Sequence, residues 1–164
     1  MSKMPRLLLG FLLLLFVGQF VYYYPQLPAT MASHFGVHGQ PDGWASKSGF
    51  IVLEAIILLF IIAEFALLPS LLERLPDSLI NLPRKDYWLA SHRRATTFAM
   101  FRTQFEWFSV GLLALFIAIN QLVFQANLSQ QNLLSNLAWL ILGAFLLFTV
   151  LWLVNFVRLF RVPN

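Results

Sequence analysis

The sequence predicts an all-α, polytopic membrane protein, one integral domain over residues 1–164 with four transmembrane helices and both termini cytoplasmic. Three observations lead there. Hydrophobic residues make up 59% of the chain and charged residues 11%, against about 25% charged in soluble domains, so too few charges remain to coat a soluble core. Four apolar runs, about 7–24, 50–72, 105–124 and 133–156, each approach the roughly 20 residues a helix needs to cross hydrocarbon. The basic residues alternate from one connection to the next, and Lys and Arg are retained on the cytoplasmic side.

The first run follows Lys3 and Arg6 and closes on Tyr22, Tyr23 and Tyr24, whose amphipathic rings suit the headgroup level. A secretory signal ending at Ala32 is the rival reading. The distance from the apolar core to that site is long and carries three tyrosines, which favours an uncleaved anchor helix. The outer loop, 25–49, holds Lys47 as its one basic residue. The second run leads into a cytoplasmic loop, 73–104, with Arg74, Arg84, Lys85, Arg93, Arg94 and Arg102. There Asn81-Leu-Pro-Arg-Lys-Asp-Tyr-Trp-Leu-Ala90 reads as a segment on the inner surface, since Pro83 stops regular helix. Ser91 is a candidate N-cap. Phe98, Phe101, Phe105 and Phe108 then recur at helical spacing, an amphipathic helix feeding the third run. The connection from Gln125 to Asn132 carries no charge, and Arg158 and Arg161 follow the fourth run. In lipid all backbone groups must be satisfied within the segment, so the four runs are expected as helices.

Composition excludes some chemistry. There are no cysteines, hence no disulfide, thiolate nucleophile or thiolate metal site. The net charge of +4 comes without a basic face of interleaved polar residues, so nucleic acid is not an expected partner. The outer loop is the densest cluster of chemically able side chains. His34 and His38 are four residues apart, but Gly36 and Gly39 argue against helix between them. Gln40-Pro41-Asp42-Gly43 has the composition of a turn, which would bring Asp42 back towards His34. A His/His/Asp metal site and a His-Asp acid–base pair are two readings of that cluster. A structured cap, with Phe35 and Trp44 at the interface, is the third. The spacing matches no zinc signature, so neither metal nor cofactor is expected, and no catalytic residue is assigned.

Glu54 and Glu64 lie inside the second run, where a carboxylate is costly and marks function or pairing. They are about 15 Å apart along the axis and about 80° apart around it, too far to share a proton. Lys47 is the expected partner of Glu54, and Arg102 or Arg94 that of Glu64. Gln19, Asn120 and Gln121 are expected to hydrogen-bond between helices.

The stretch Tyr24-Pro-Gln-Leu-Pro-Ala-Thr-Met-Ala-Ser-His-Phe-Gly-Val-His-Gly-Gln-Pro-Asp-Gly-Trp-Ala-Ser-Lys47 resembles the bacterial membrane family known as domain of unknown function 1648, also found at the start of SdpI-type immunity proteins. The residues that carry the likeness are Leu27, Pro28, His34, Phe35, Gly39, Asp42, Trp44 and Lys47. Asn81, Pro83, Tyr87 and Trp88 resemble the family's second pattern. His38 is no part of the signature. The resemblance implies an uncharacterised multi-pass protein of the bacterial inner membrane. It implies an outer peptide, lipid or envelope ligand met by His34, Phe35, Asp42, Trp44 and Lys47, with immunity as the related activity. The expected partners are the bilayer, that outer ligand, and a cytosolic or membrane protein. Two other functions stay open: an accessory subunit of a membrane complex, and an interfacial enzyme using His34 and Asp42.

Overall fold

The computed structural model describes residues 3–129 and 133–161. Four helices are long and apolar enough to cross a membrane. They are α1 (Met4–Tyr23), α2 (Lys47–Arg74), α4 (Ser91–Leu128) and α5 (Leu137–Leu159), with a single turn, α3 (Lys85–Trp88), before α4. The last residues of the expected second outer connection, 130–132, lie outside the described residues.

The expected amphipathic helix and the third run form one uninterrupted element. At 38 residues and 1.5 Å per residue, α4 is about 57 Å long, nearly twice the thickness of the hydrocarbon core. Its first third, from Ser91, therefore extends beyond any bilayer that the rest crosses. Ser91 is the first residue of the helix and not its cap; Ala90 holds the N-cap position with no side-chain hydrogen bond. Phe98 and Phe101 do not lie on lipid. They are buried against Ile80, Leu82, Leu89 and Phe160, so the 80–89 segment covers the apolar face of α4.

Helix α4 is the centre of the bundle. Helices α1, α2 and α5 each pack mainly on it. It is also the span with the most buried polar side chains, among them Gln104, Glu106, Ser109, Asn120 and Asn127. The outer faces of α1, α2 and α5 present leucines, valines and isoleucines. Polar groups inside and apolar groups outside is the arrangement that lipid favours.

The all-α expectation is corrected at the first connection. Thr30–Phe35 (β1) and Pro41–Ser46 (β2) form a two-stranded antiparallel hairpin. Thr30 pairs with Ser46 and Ala32 with Trp44, and irregularities near His34 restore the register so that Phe35 faces Pro41. The expected Pro-Asp-Gly turn is corrected as well. Pro41, Asp42 and Gly43 belong to β2, and the chain reverses over Gly36–Gln40. The Gly36 N–H donates to Gln40 O, and the Gly39 N–H donates to Gly36 O, both at 2.8 Å. Gly39 takes φ 80°, the left-handed conformation that glycine adopts without a Cβ penalty. Proline suits the start of a short strand, where no N–H is required of it. The chain then passes directly from β2 into α2, where the Ser46 hydroxyl caps the Gly49 N–H at 3.1 Å.

Candidate functional site

The hairpin is strapped to the bundle at four places. On the β1 side, the Asn127 carboxamide of α4 takes both backbone groups of Ala32: Oδ1 accepts from Ala32 N at 2.7 Å, and Nδ2 donates to Ala32 O at 2.9 Å. In an antiparallel pair alternate residues turn these groups away from the neighbouring strand, and Asn127 acts there as a one-residue strand. The same Nδ2 also donates to Val123 O at 2.9 Å, which fixes the amide on its own helix. At the base, Lys47 Nζ donates to Tyr24 O at 3.1 Å and Leu27 O at 3.0 Å, and lies 4.7 Å from the Tyr24 ring centroid. At the tip, the Leu134 N–H donates to Gly39 O at 2.8 Å. The Trp139 indole of α5 donates to Val37 O at 3.2 Å. Below, Leu27, Met31, Phe50, Val123 and Phe124 form a buried cluster with Phe35 packed on it.

Of the five residues expected to meet a ligand, three face solvent. His34 Nδ1 and Asp42 Oδ1 are in hydrogen-bond contact across the strands, with side chains 76% and 48% exposed. Trp44, two residues further along β2, is 54% exposed. Gly43 makes the pair possible, because a Cβ at that position would approach His34 Cβ to 2.8 Å. Phe35 and Lys47 are turned towards the bundle as seats of the hairpin. The cross-strand geometry thus brings Asp42 to His34, as the sequence suggests, by pairing and not by the expected turn. His38, in the turn, is exposed. Among the described residues no three His, Asp or Glu side chains come together as a metal site would need.

Glu54 and Glu64, the carboxylates of α2, have other partners than expected. Glu54 is buried and accepts from Asn120 Nδ2 at 2.9 Å, while Lys47 is engaged with carbonyls. Arg102 lies 3.7 Å from Glu73, and Arg94 pairs with Asp77, so neither reaches Glu64. Glu64 has no hydrogen-bond or ion-pair partner among the described residues. Gln19 bonds Ile117 O and Gln121, and Gln121 donates to Tyr23 Oη at 2.6 Å, as interhelical glue. Sequence reasoning missed Glu106. It is 2% exposed at its side chain and pairs with Arg6 Nε at 2.8 Å. The signal was available, since Arg6 and Glu106 fall at corresponding ends of the first and third runs. Leu113, fully buried with Leu9 and Phe16, separates the Glu106 layer from the Glu54–Asn120 layer along α4.

The second pattern lies at the opposite end. Trp88 is fixed by its indole donating to Phe160 O at 3.1 Å and by Thr97 Oγ1 donating to Trp88 O at 2.8 Å. Tyr87 stacks under Arg93, 3.7 Å from the ring centroid. Asn81 and Pro83 are exposed beside Arg84, whose φ is 51°. Tyr87 and Trp88 thus help close the bundle and leave Asn81, Arg84 and Lys85 around an open cleft.

A mostly helical protein with four potential membrane spans and a hairpin platform at one end is the class these features define. Residues 10–59 match the family described as domain of unknown function, DUF1648. That range takes in most of α1, the whole hairpin and the first part of α2; the second pattern at Asn81–Trp88 lies beyond it. An uncharacterized protein of Archaeoglobus fulgidus is similar, 31% identical over 83 residues, which is 40% of this chain and 44% of that protein. The matched stretch thus spans less than half of that relative. No solved structure matches the chain.

Proposed function

We propose that this chain is a multi-pass protein of the bacterial inner membrane, with both termini cytoplasmic, that binds an extracytoplasmic peptide, lipid or envelope component through the hairpin. The carrying observation is the strapped platform. Asn127, Lys47, Leu134 and Trp139 immobilise a short hairpin whose His34, Asp42 and Trp44 remain open to solvent. A rigid element that presents an aromatic ring beside a hydrogen-bonding pair suits recognition, because little side-chain or loop ordering is left to oppose binding. Both members of the His34–Asp42 pair are exposed, the surroundings of a recognition surface more than of a water-excluded reaction centre. An immunity-like role against a secreted peptide is the form the family resemblance suggests.

The orientation is tested first. The chain has no cysteine, so single-cysteine variants report cleanly. His38→Cys is expected to react with a membrane-impermeant maleimide in intact cells, and Lys85→Cys only after lysis. The reverse pattern refutes the topology. For recognition, a strain lacking the chain is challenged with peptide-containing supernatants of related strains. The native chain is expected to restore growth and a His34→Ala/Asp42→Ala variant of equal membrane abundance to fail. Equal protection by both chains reduces the hairpin to a cap.

Glu64 favours one second reading, an accessory subunit of a membrane complex. A carboxylate in a potential span without a partner among the described residues is the kind of group that a neighbouring helix satisfies. Co-purification of a fixed partner, lost in Glu64→Leu, would support it.

A further inference from the structure

We infer that the cleft between α1 and α2 at the hairpin end binds one acyl chain of an anionic lipid, with the acidic headgroup held at Lys47. Helices α1 and α2 rest on α4 rather than on one another, which leaves a lateral groove of about 570 Å³ between them. Its lining is Phe20, Val21, Tyr24, Ser48, Ile51 and Val52, apolar save for the Tyr24 and Ser48 hydroxyls. It opens sideways within two helices long and apolar enough to cross a membrane, so a hydrocarbon chain is the occupant its lining and direction suit.

The headgroup charge follows from Lys47. Its ammonium lies 4.7 Å from the centroid of the Tyr24 ring, one wall of the groove, and Ser48, the next residue, is another. An ammonium has three N–H donors. Two are spent on Tyr24 O and Leu27 O, which leaves one free. Those carbonyls solvate the cation without neutralising it, and among the described residues no carboxylate lies within ion-pair distance of it. Lys47 is also the first residue of α2, where the helix dipole adds partial positive charge. A phosphate at the mouth of the groove would meet the free N–H and the unneutralised charge together, with its acyl chain against Val21 and Val52. The site shares no residue with the His34, Asp42 and Trp44 face, so its test stands whether or not that face recognises a ligand.

The experiment uses the full chain in dodecyl maltoside, titrated with phosphatidylglycerol or phosphatidylcholine of identical acyl chains, with bound lipid counted by native mass spectrometry. The native chain is expected to retain one phosphatidylglycerol about fivefold more tightly than phosphatidylcholine, the effect of one interfacial cation on an anionic lipid. Lys47→Met is expected to remove that preference. Val52→Trp fills the groove, leaves Lys47 in place, and is expected to lose the retained lipid of either kind. Equal retention of the two lipids by the native chain overturns the inference. So does a preference that persists in Val52→Trp, or a groove covered by a second copy, read as a lipid-free dimer that Val52→Trp dissociates.

Discussion

Replacing Asn127 by alanine should release the hairpin and leave the helices in place. The substitution removes the acceptor for Ala32 N and the donor to Ala32 O, bonds of 2.7 and 2.9 Å made in the interior. Ala32 itself is fully buried, so water cannot replace either partner while the hairpin stays docked. Leaving a buried group unsatisfied costs about 1–3 kcal/mol. For two groups, part of it relieved by local adjustment, the docked hairpin loses about 2–4 kcal/mol relative to a lifted one. At 1.4 kcal/mol per tenfold, the opening equilibrium shifts by about 30- to 700-fold. Hydrogen exchange read by mass spectrometry on protein in nanodiscs resolves this directly. Peptides over 30–46 should lose protection by about that factor, and peptides over the apolar parts of α1, α2 and α5 should keep theirs. Asn127→Asp offers an acceptor to Ala32 N but sets a second oxygen against the carbonyls of Ala32 and Val123, and should loosen the hairpin too. Unchanged exchange over 30–46, or a uniform loss across the whole chain, would refute a local latch.

Four further substitutions probe the polar contacts of the bundle and the seat of the hairpin tip. Arg6→Ala strips its ion-pair partner from a buried Glu106 and should lower stability by about 1.5–3 kcal/mol, seen as a reduced unfolding midpoint in detergent; adding Glu106→Leu should recover most of the loss. Glu54→Leu orphans Asn120 Nδ2 and should cost about 0.6–1.7 kcal/mol, whereas Glu64→Leu breaks no bond among the described residues and should leave the midpoint unchanged or higher. An equal loss for both would mean that Glu64 has an internal partner. Gly39→Ala forces a side chain into left-handed backbone and drives its Cβ into the Leu134 carbonyl; it should cost about 1–3 kcal/mol and speed exchange around 133–139.

The spans were legible because hydrocarbon demands length and apolarity, properties of the chain alone; α1, α2 and α5 fall close to the expected runs. The hairpin was less legible. Its strands are six residues each, and Gln40-Pro41-Asp42-Gly43 has turn composition, so local preference pointed to a reversal three to four residues too late. The tip went to Gly36–Gln40 because Leu134 and Trp139, about a hundred residues away, hold it there. His34 and Asp42 could be paired on paper since any reversal between them brings them together. The partners of Lys47, Glu54 and Glu64 could not be read, because charge suggests ion pairs, whereas the interior offered Lys47 two carbonyls and Glu54 an amide. Asn127 carried no signal at all. An asparagine near the end of a long helix looks like any other until the strand it grips is in view.

The reliance of α1, α2 and α5 on α4 also sets an order of assembly during synthesis. The first helix, the hairpin and the second helix are all made before the element they lean on, and Asn127 emerges roughly a hundred residues after the end of α1. At translation rates of about 5–20 residues per second, that wait is roughly 5–20 s. Until α4 is made, Gln19, Glu54 and the backbone of Ala32 lack their partners on it. In the multi-pass protein proposed above, the nascent chain needs a protected site until its central helix arrives, and pauses or losses in biogenesis should concentrate there, between the release of α2 and the entry of α4.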